Sequence, residues 1–248
     1  MEEKRGLSGA AFKRIAAASM LIDHIGLVLV WQGWVVCSGR STASMTLYAV
    51  LRSIGRLAFP IFCFLLVEGF VHTRSRVKYL LRLLLFAFVS ELPFDLAVHG
   101  AAWAWKGQNV MFTLALGLLA VWACEKLLRE KGAPAAPRAL LAVAASGFCV
   151  LAAWLMKTDY GLYGVLLILV LYLLRERTLP RELGGALVLG SMVVFGHSWW
   201  IEIFAIAALP ALRLYNGERG RQSKWFFYVF YPTHFLLLVL LLKLIWGG

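Results

Sequence analysis

Long apolar stretches alternate with short polar ones along this chain, and every second polar break is strongly basic. The first stretch, 12–31, reads FKRIAAASMLIDHIGLVLVW. Others cover 49–72, 78–98, 109–127, 139–156, 160–174, 183–195, 200–212 and 225–246. Runs near 20 residues have the length a helix needs to cross a bilayer. Those at 160–174, 183–195 and 200–212 are short, and one of them is a candidate for a re-entrant segment. The runs are continuous rather than alternating over ten-residue strands, which excludes a barrel. The pattern predicts an all-α, polytopic transmembrane helix bundle of about nine spans, forming a single domain over 1–248.

The polar breaks set the orientation. Lys4, Arg5, Lys13 and Arg14 precede or open the first run, and HTRSRVK, EKLLREKGAPAAPR, RERTLPRE and RLYNGERGRQSK fall on the same side of an alternating chain. The positive-inside rule makes that side cytoplasmic, with the N-terminus inside and the C-terminus outside. Trp31, Trp34, Trp103, Trp105, Trp199, Trp200 and Trp246 then gather at the outer interface as an aromatic belt. Asp23 and His24 interrupt the first apolar run and no small-residue cleavage site follows, so it reads as a retained helix. No internal repeat is visible, hence no sign of the inverted halves of many transporters.

Composition sharpens the class. Hydrophobic residues make up 61% of the 248 and charged residues 15%, leaving no room for a soluble core. The net charge of +12 would suit nucleic acid, but most Lys and Arg residues sit in the predicted inner loops, and positive-inside bias explains them. Cys37, Cys63, Cys124 and Cys149 show no pairing pattern and read as small hydrophobes.

The chemistry lies in the polar residues inside these spans, since an intramembrane ionisable group is costly and is a functional candidate by default. Lys13 and His24 are eleven residues apart, so they share nearly one helix face, roughly 16 Å apart along the axis. Arg52 and Arg56 stand at i,i+4, with Pro60 expected to kink the helix and Glu68 further along. Glu91 and Asp95 are another i,i+4 pair, around Pro93; Asn109 and Thr113 are a third. Asp159 opens the sixth run, His197 and Glu202 flank a turn, and the last run holds FYVFYPTHF with Tyr231 and His234. Neighbouring residues on a helix do not face each other, so Asp23 is expected to pair with Arg52 or Arg56 rather than to orient His24. A clasp that only locks helices together is the structural alternative. His72, His99 and His197 lie near the interfaces and read as structural or solvated.

No phosphate-binding loop, dinucleotide fingerprint, nucleophile elbow or His–Cys metal spacing is present. A buried histidine suits general-base work at neutral pH. A cationic inner mouth suits an anionic, phosphate-bearing cofactor. Together they point to acyl transfer from a cytoplasmic coenzyme thioester, with proton-coupled transport and a membrane assembly factor as the competing classes.

LRSIGRLAFPIFCFLLVEGF, SELPFDL, NVMFTL, DYGLYGVLLI and KWFFYVFYPTHFLLL, in this order, resemble the signature blocks of the TraX family. That family is named for a conjugative-plasmid protein that acetylates the N-terminal amine of pilin. The Lys13–His24 spacing also resembles the Arg/Lys-x₁₀-His motif of membrane acyltransferases that modify surface polysaccharides. The resemblance implies a bacterial inner-membrane enzyme with acetyl-CoA as donor substrate, no metal, and His24 as the essential residue. It marks Arg52, Arg56, Glu68, Glu91, Asp95, Asn109 and His234 as motif positions. On this reading Lys13, Arg14, Arg74, Arg76 and Lys78 hold the CoA phosphates. Arg52, Arg56, Tyr231 or His234 would steady the oxyanion. Glu68, Glu91, Asp95, Asn109 and Asp159 would receive an extracytoplasmic amine or glycan acceptor. The partners expected are therefore lipid, acetyl-CoA and that acceptor, with no nucleic acid.

The topology is directly measurable. A cysteine at Ser223 should be labelled only from the cytoplasmic side, and one at Ser41 or Gly107 only from outside. The reverse pattern at either position overturns the orientation.

Overall fold

The computed structural model describes residues 6–129, 134–196, 200–221, 223 and 225–247; Lys4, Arg5, His197 and Trp199 lie outside that set. Among the described residues the regular structure is all helical. Helix α1 is Gly9–Ile25, and from Gly26 to Cys37 the same apolar run continues with π-type hydrogen bonding. Then come α2 (Thr42–Gly55), α3 (Ala58–His72), α4 (Arg76–Val98), α5 (Val110–Arg129), α6 (Ala135–Leu155), α7 (Gly161–Leu173) and α8 (Thr178–Phe195). A 3₁₀ segment, Trp200–Ala207, leads into the single turn α9 (Ala208–Ala211), and α10 (Phe226–Trp246) closes the chain.

Six described helical stretches are long and apolar enough to cross a membrane: Gly9–Cys37, Thr42–His72, Val110–Arg129, Ala135–Leu155, Thr178–Phe195 and Phe226–Trp246. This is a multi-pass membrane protein. Its outward faces carry Leu81, Leu85, Phe88, Leu140, Val143, Phe148, Leu187, Val194, Phe195 and Leu244, all more than half exposed. A water-facing surface has no use for so continuous an apolar cover, whereas lipid does. Two predicted elements differ from the sequence reading. The 200–212 run is helical but mostly 3₁₀-wound, with only the single α turn Ala208–Ala211, rather than one α-helix. The stretch 49–72 begins earlier, at Thr42, and is interrupted by a turn at Arg56–Leu57. Pro60 explains the break, since it cannot donate to the carbonyl of Arg56 and its ring crowds that carbonyl.

The chain groups into two compact units, with boundaries inside α3, α4 and α8. The first comprises Met1–Leu65, Val89–Ala104 and Leu189–Gly248. In it α1 packs on α2 and α10, and α2 packs on the 3₁₀ segment. Ser8 caps α1, and the free N–H groups of Gly9 and Ala10 donate to the carbonyls of Glu218 (2.7 Å) and Arg219 (2.9 Å). The start of α1 and the basic 213–221 loop therefore lie on one side of the membrane, as positive-inside charge requires. Helix α2 starts with a reciprocal Ser41–Ser44 capping box.

The second unit comprises Leu66–Phe88 and Trp105–Val188. Its centre is α5, flanked by α6 and α7. Asn109 caps α5 by accepting from Met111 N–H (3.0 Å), while its amide donates to the Ala87 carbonyl on α4 (2.8 Å). Backbone bonds from Gln108 to Lys157 (3.1 Å) and from Asp159 to Gln108 (2.8 Å) tie the start of α5 to the turn before α7.

Helices α1 and α2 meet through glycines, the usual means of close approach in lipid. A Cβ on Gly26 would sit 3.0 Å from Leu51, and one on Gly55 only 2.2 Å from the Asp23 side chain. Gly55→Ala should therefore lower the thermal midpoint of the solubilised protein, by an overpacking cost of about 1–3 kcal/mol or more. Gly190→Ala, where a Cβ meets nothing within 4 Å, should leave the midpoint unchanged. Equal midpoints for the two variants would contradict this crossing.

Candidate functional site

An apolar helix that carries an aspartate at mid-span must bring a counter-charge to it. Asp23 lies fourteen residues into the 29-residue helical run Gly9–Cys37 and is buried. Arg52 on α2 and Arg56 at its C-cap both reach it: Arg52 Nη1 donates to Asp23 Oδ2, and Arg56 Nη2 donates to Asp23 Oδ1. Their i,i+4 spacing places both guanidinium groups on the face of α2 that crosses α1. Arg56 then spends a second N–H on Glu202 Oε1 at 2.6 Å. Two arginines and two carboxylates form one charge-balanced chain through α1, α2 and the 3₁₀ segment.

His24 follows Asp23 directly but points elsewhere. Its Nδ1 is 2.7 Å from His234 Nε2, and the two rings stack with centroids 4.9 Å apart. His234 is buried on α10 and donates from Nδ1 to the Phe230 carbonyl one turn earlier, at 3.0 Å. Phe235 lies against both imidazoles, at 4.4 Å from His24 and 4.3 Å from His234, and Phe94 meets Phe235 edge-on. Tyr231, 5.7 Å from His234 between ring centroids, is fully buried. The His24 Nε2 atom stands 3.9 Å from Asp23 Oδ2, beyond hydrogen-bond range. The site is closed at Asp23 and touches accessible space at His24, Arg52 and Glu202, whose side chains keep 13%, 16% and 14% exposure.

The remaining sequence candidates divide between the units. In the first, Asp95 accepts from the Ala104 N–H (2.7 Å), folding the 99–104 loop over the end of α4, and Glu91 is buried one turn earlier. Lys13 is half-buried with Nζ 5.5 Å from the Phe227 ring, and Arg14 is exposed. In the second unit, Arg74 and Lys78 are exposed, while Arg76 pairs with the buried Glu125 at 2.5 Å and lies on the Phe70 ring. Glu68 stands 4.0 Å from His72. Asn109 is committed to capping, and Asp159 turns the chain into α7, its side chain accepting from Tyr160 N–H (3.1 Å). Among the described residues no group of three His, Cys, Asp or Glu side chains is placed to hold a metal ion.

Sequence reasoning placed Glu202 beside a turn, among the outer carboxylates that would attract an amine or hydrogen-bond a sugar, and not opposite an arginine. The signal that points to it is arithmetic: two intramembrane arginines opposite one aspartate demand a second carboxylate. Glu91, Asp95 and Glu202 are the candidates, and only the tertiary structure selects one.

Charge balance makes the network's variants calculable. Asp23→Asn leaves one arginine uncompensated and should destabilise by about 3–5 kcal/mol, the usual cost of breaking a buried pair. Adding Arg52→Gln restores neutrality, because Arg56 keeps Glu202. Adding Arg56→Gln instead strands Arg52 away from Glu202. In urea or thermal unfolding the first double variant should regain more stability than the second. Equal recovery, or none, contradicts this wiring.

Comparison with known proteins supplies a lineage. The TraX protein family model matches residues 8–242. The chain is also 33% identical, over 257 residues covering 94% of it and 96% of the relative, to a Dichelobacter nodosus protein named probable fimbrial assembly protein FimC, serogroup H1. No solved structure matches.

Proposed function

The chain belongs to the TraX family, and from that premise we propose that it is an integral-membrane acetyltransferase with acetyl-CoA as donor and His24 as general base. The observation that carries the reading is the imidazole pair at mid-span, beside a charge-balanced arginine network. A proton acceptor in an apolar enclosure, next to fixed cationic dipoles, suits attack on a thioester.

The step balances simply. The acceptor nitrogen attacks the thioester carbonyl carbon while its proton passes to His24. The C–S bond then breaks, and the proton on His24 goes to the CoA thiolate. An acetyl-histidine intermediate would use the same ring. Of the candidates for the oxyanion, Arg52 is favoured. Its side chain keeps 16% exposure, whereas Arg56, Tyr231 and His234 are buried. Lys13 and Arg14, eleven and ten residues before His24 on α1, suit the phosphates of the donor at the cytoplasmic mouth. Cytoplasmic acetyl-CoA places the enzyme in the bacterial inner membrane.

The similar protein named for fimbrial assembly makes an exported subunit a natural acceptor. An α-amino group has a pKa near 7.7–8.0 against about 10.4 for lysine. Losing its proton at neutral pH is cheaper by roughly 3–4 kcal/mol, which favours a terminal amine. A glycan hydroxyl is the ester alternative. A proton-coupled transporter could hold the same charges, but it would consume no acetyl-CoA.

Sealed vesicles test the proposal. Labelled acetyl-CoA loaded inside should acetylate an N-terminal peptide amine supplied outside. His24→Ala should lose at least about 10²-fold in turnover while CoA binding persists. Survival of activity in that variant would remove His24 from the mechanism. Acetylation of an internal acceptor alone would reject transfer across the membrane.

A further inference from the structure

Among the described residues, the hydrogen bonds around the imidazole pair leave one consistent arrangement of protons. The Phe230 carbonyl can only accept, so the His234 nitrogen that contacts it, Nδ1, carries a hydrogen. A neutral imidazole has a single N–H, so His234 Nε2 is a lone-pair acceptor. His24 Nδ1, 2.7 Å away, must then be the donor. The other nitrogen of His24, Nε2, is left bare. The charges of Asp23, Arg52, Arg56 and Glu202 already sum to zero, so a resting imidazolium here would be an uncompensated charge at mid-span.

The opposite tautomer would set two bare nitrogens, His24 Nδ1 and His234 Nε2, against each other at 2.7 Å. The nearest carboxylate oxygen to His24 Nε2, Asp23 Oδ2, is 3.9 Å away and already accepts from Arg52. Phe235 lies against both rings, Phe230 and Tyr231 lie against His234, and Phe94 meets Phe235 edge-on.

We propose that His234 is a positioning residue that fixes the tautomer of His24, holding its Nε2 lone pair toward the accessible side of the site. This rests on the reading of His24 as the base. In soluble hydrolytic triads a carboxylate does this work and steadies the imidazolium as it forms. Here the carboxylate beside His24 is consumed by arginines, and a neutral imidazole takes the role without adding a charge to the membrane interior. When His24 Nε2 takes the acceptor's proton, its Nδ1–H strengthens its bond to His234 Nε2, and the Phe230 carbonyl polarises His234 from behind. The proton then leaves from Nε2 to the thiolate.

The test uses the full chain in lipid with ¹⁵N-labelled histidine, imidazole resonances being assigned by loss in His24→Ala and His234→Ala. The expected spectrum has His24 protonated at Nδ1 and bare at Nε2, with His234 protonated at Nδ1. A protonated Nε2 on His24 in the wild type overturns the proposal, whatever the variants do. His234→Gln supplies an amide oxygen in place of the lone pair, and His234→Leu supplies nothing. Gln should keep the bare Nε2 and hold kcat within about tenfold of wild type. Leu should protonate Nε2 and lose about 10²–10⁴-fold in kcat, with KM for acetyl-CoA unchanged. Equal kcat in the two variants with the His24 tautomer unaltered also overturns it. Should the wild type show the expected protons yet transfer no acetyl group to any amine or glycan, the tautomer assignment stands and the acetyltransferase reading falls.

Discussion

The contact on which the first unit depends is the double clasp of Asp23 by Arg52 and Arg56, with Glu202 taking the surplus of Arg56. An isolated carboxylate or guanidinium at mid-span costs several kcal/mol, so these four groups are tolerable only together. That requirement dictates the packing around them. Gly55 must lack a side chain so that α2 can lie against Asp23, and Gly26 must admit the stem of Arg52. The 200–207 segment must come to the same depth to deliver Glu202, although it does not form the regular spanning helix its hydropathy suggests. Close helix crossing, the break after Arg56 and the 3₁₀ segment all serve one electrostatic closure.

That closure also frees the histidine. Were Asp23 unpaired, it would compete for the imidazole of the next residue and pull a hydrogen onto Nε2. With its lone pairs given to guanidinium groups, His24 turns to α10, where His234 is the partner. The two networks are neighbours in space and separate in bonding. One carries charge and holds helices; the other, on the proposed reading, is uncharged and accepts a proton. On the proposed mechanism, their adjacency would let the field of the arginines act on a developing oxyanion without entangling the base in a salt bridge.

How much of this was legible in the sequence follows from which forces are local. The helices were legible from run length and the proline positions, and the pairing of Asp23 with the α2 arginines from the cost of charge in lipid. The convergence of His24 and His234, 210 residues apart, was visible only as two histidines in two apolar runs. Nothing local says that α10 packs on α1. The 200–212 run is helical as read, but its 3₁₀ winding was not legible, because hydropathy reports burial and not backbone winding. Asn109 and Asp159, read from sequence as acceptor contacts at the mouths of spans, also have structural work that the sequence did not reveal. The structure shows caps and turn hydrogen bonds satisfying otherwise orphaned backbone.

The division of the carboxylates bears on how substrates are handled. In the first unit Glu202 is partly accessible but paired with Arg56, and Asp95 accepts from the Ala104 amide. On the proposed reading, a protonated amine approaching the site would meet carboxylates that already answer protein donors. Discrimination is better placed in proton loss, where a group titrating near neutrality has the advantage over a lysine side chain. The apolar walls around His24 reinforce this preference, because they favour the neutral amine, which is also the nucleophile. On the proposed acetyltransferase reading, a site built this way would select its acceptor by basicity and reach rather than by charge. That selection suits the exposed end of a chain better than the side chains along it.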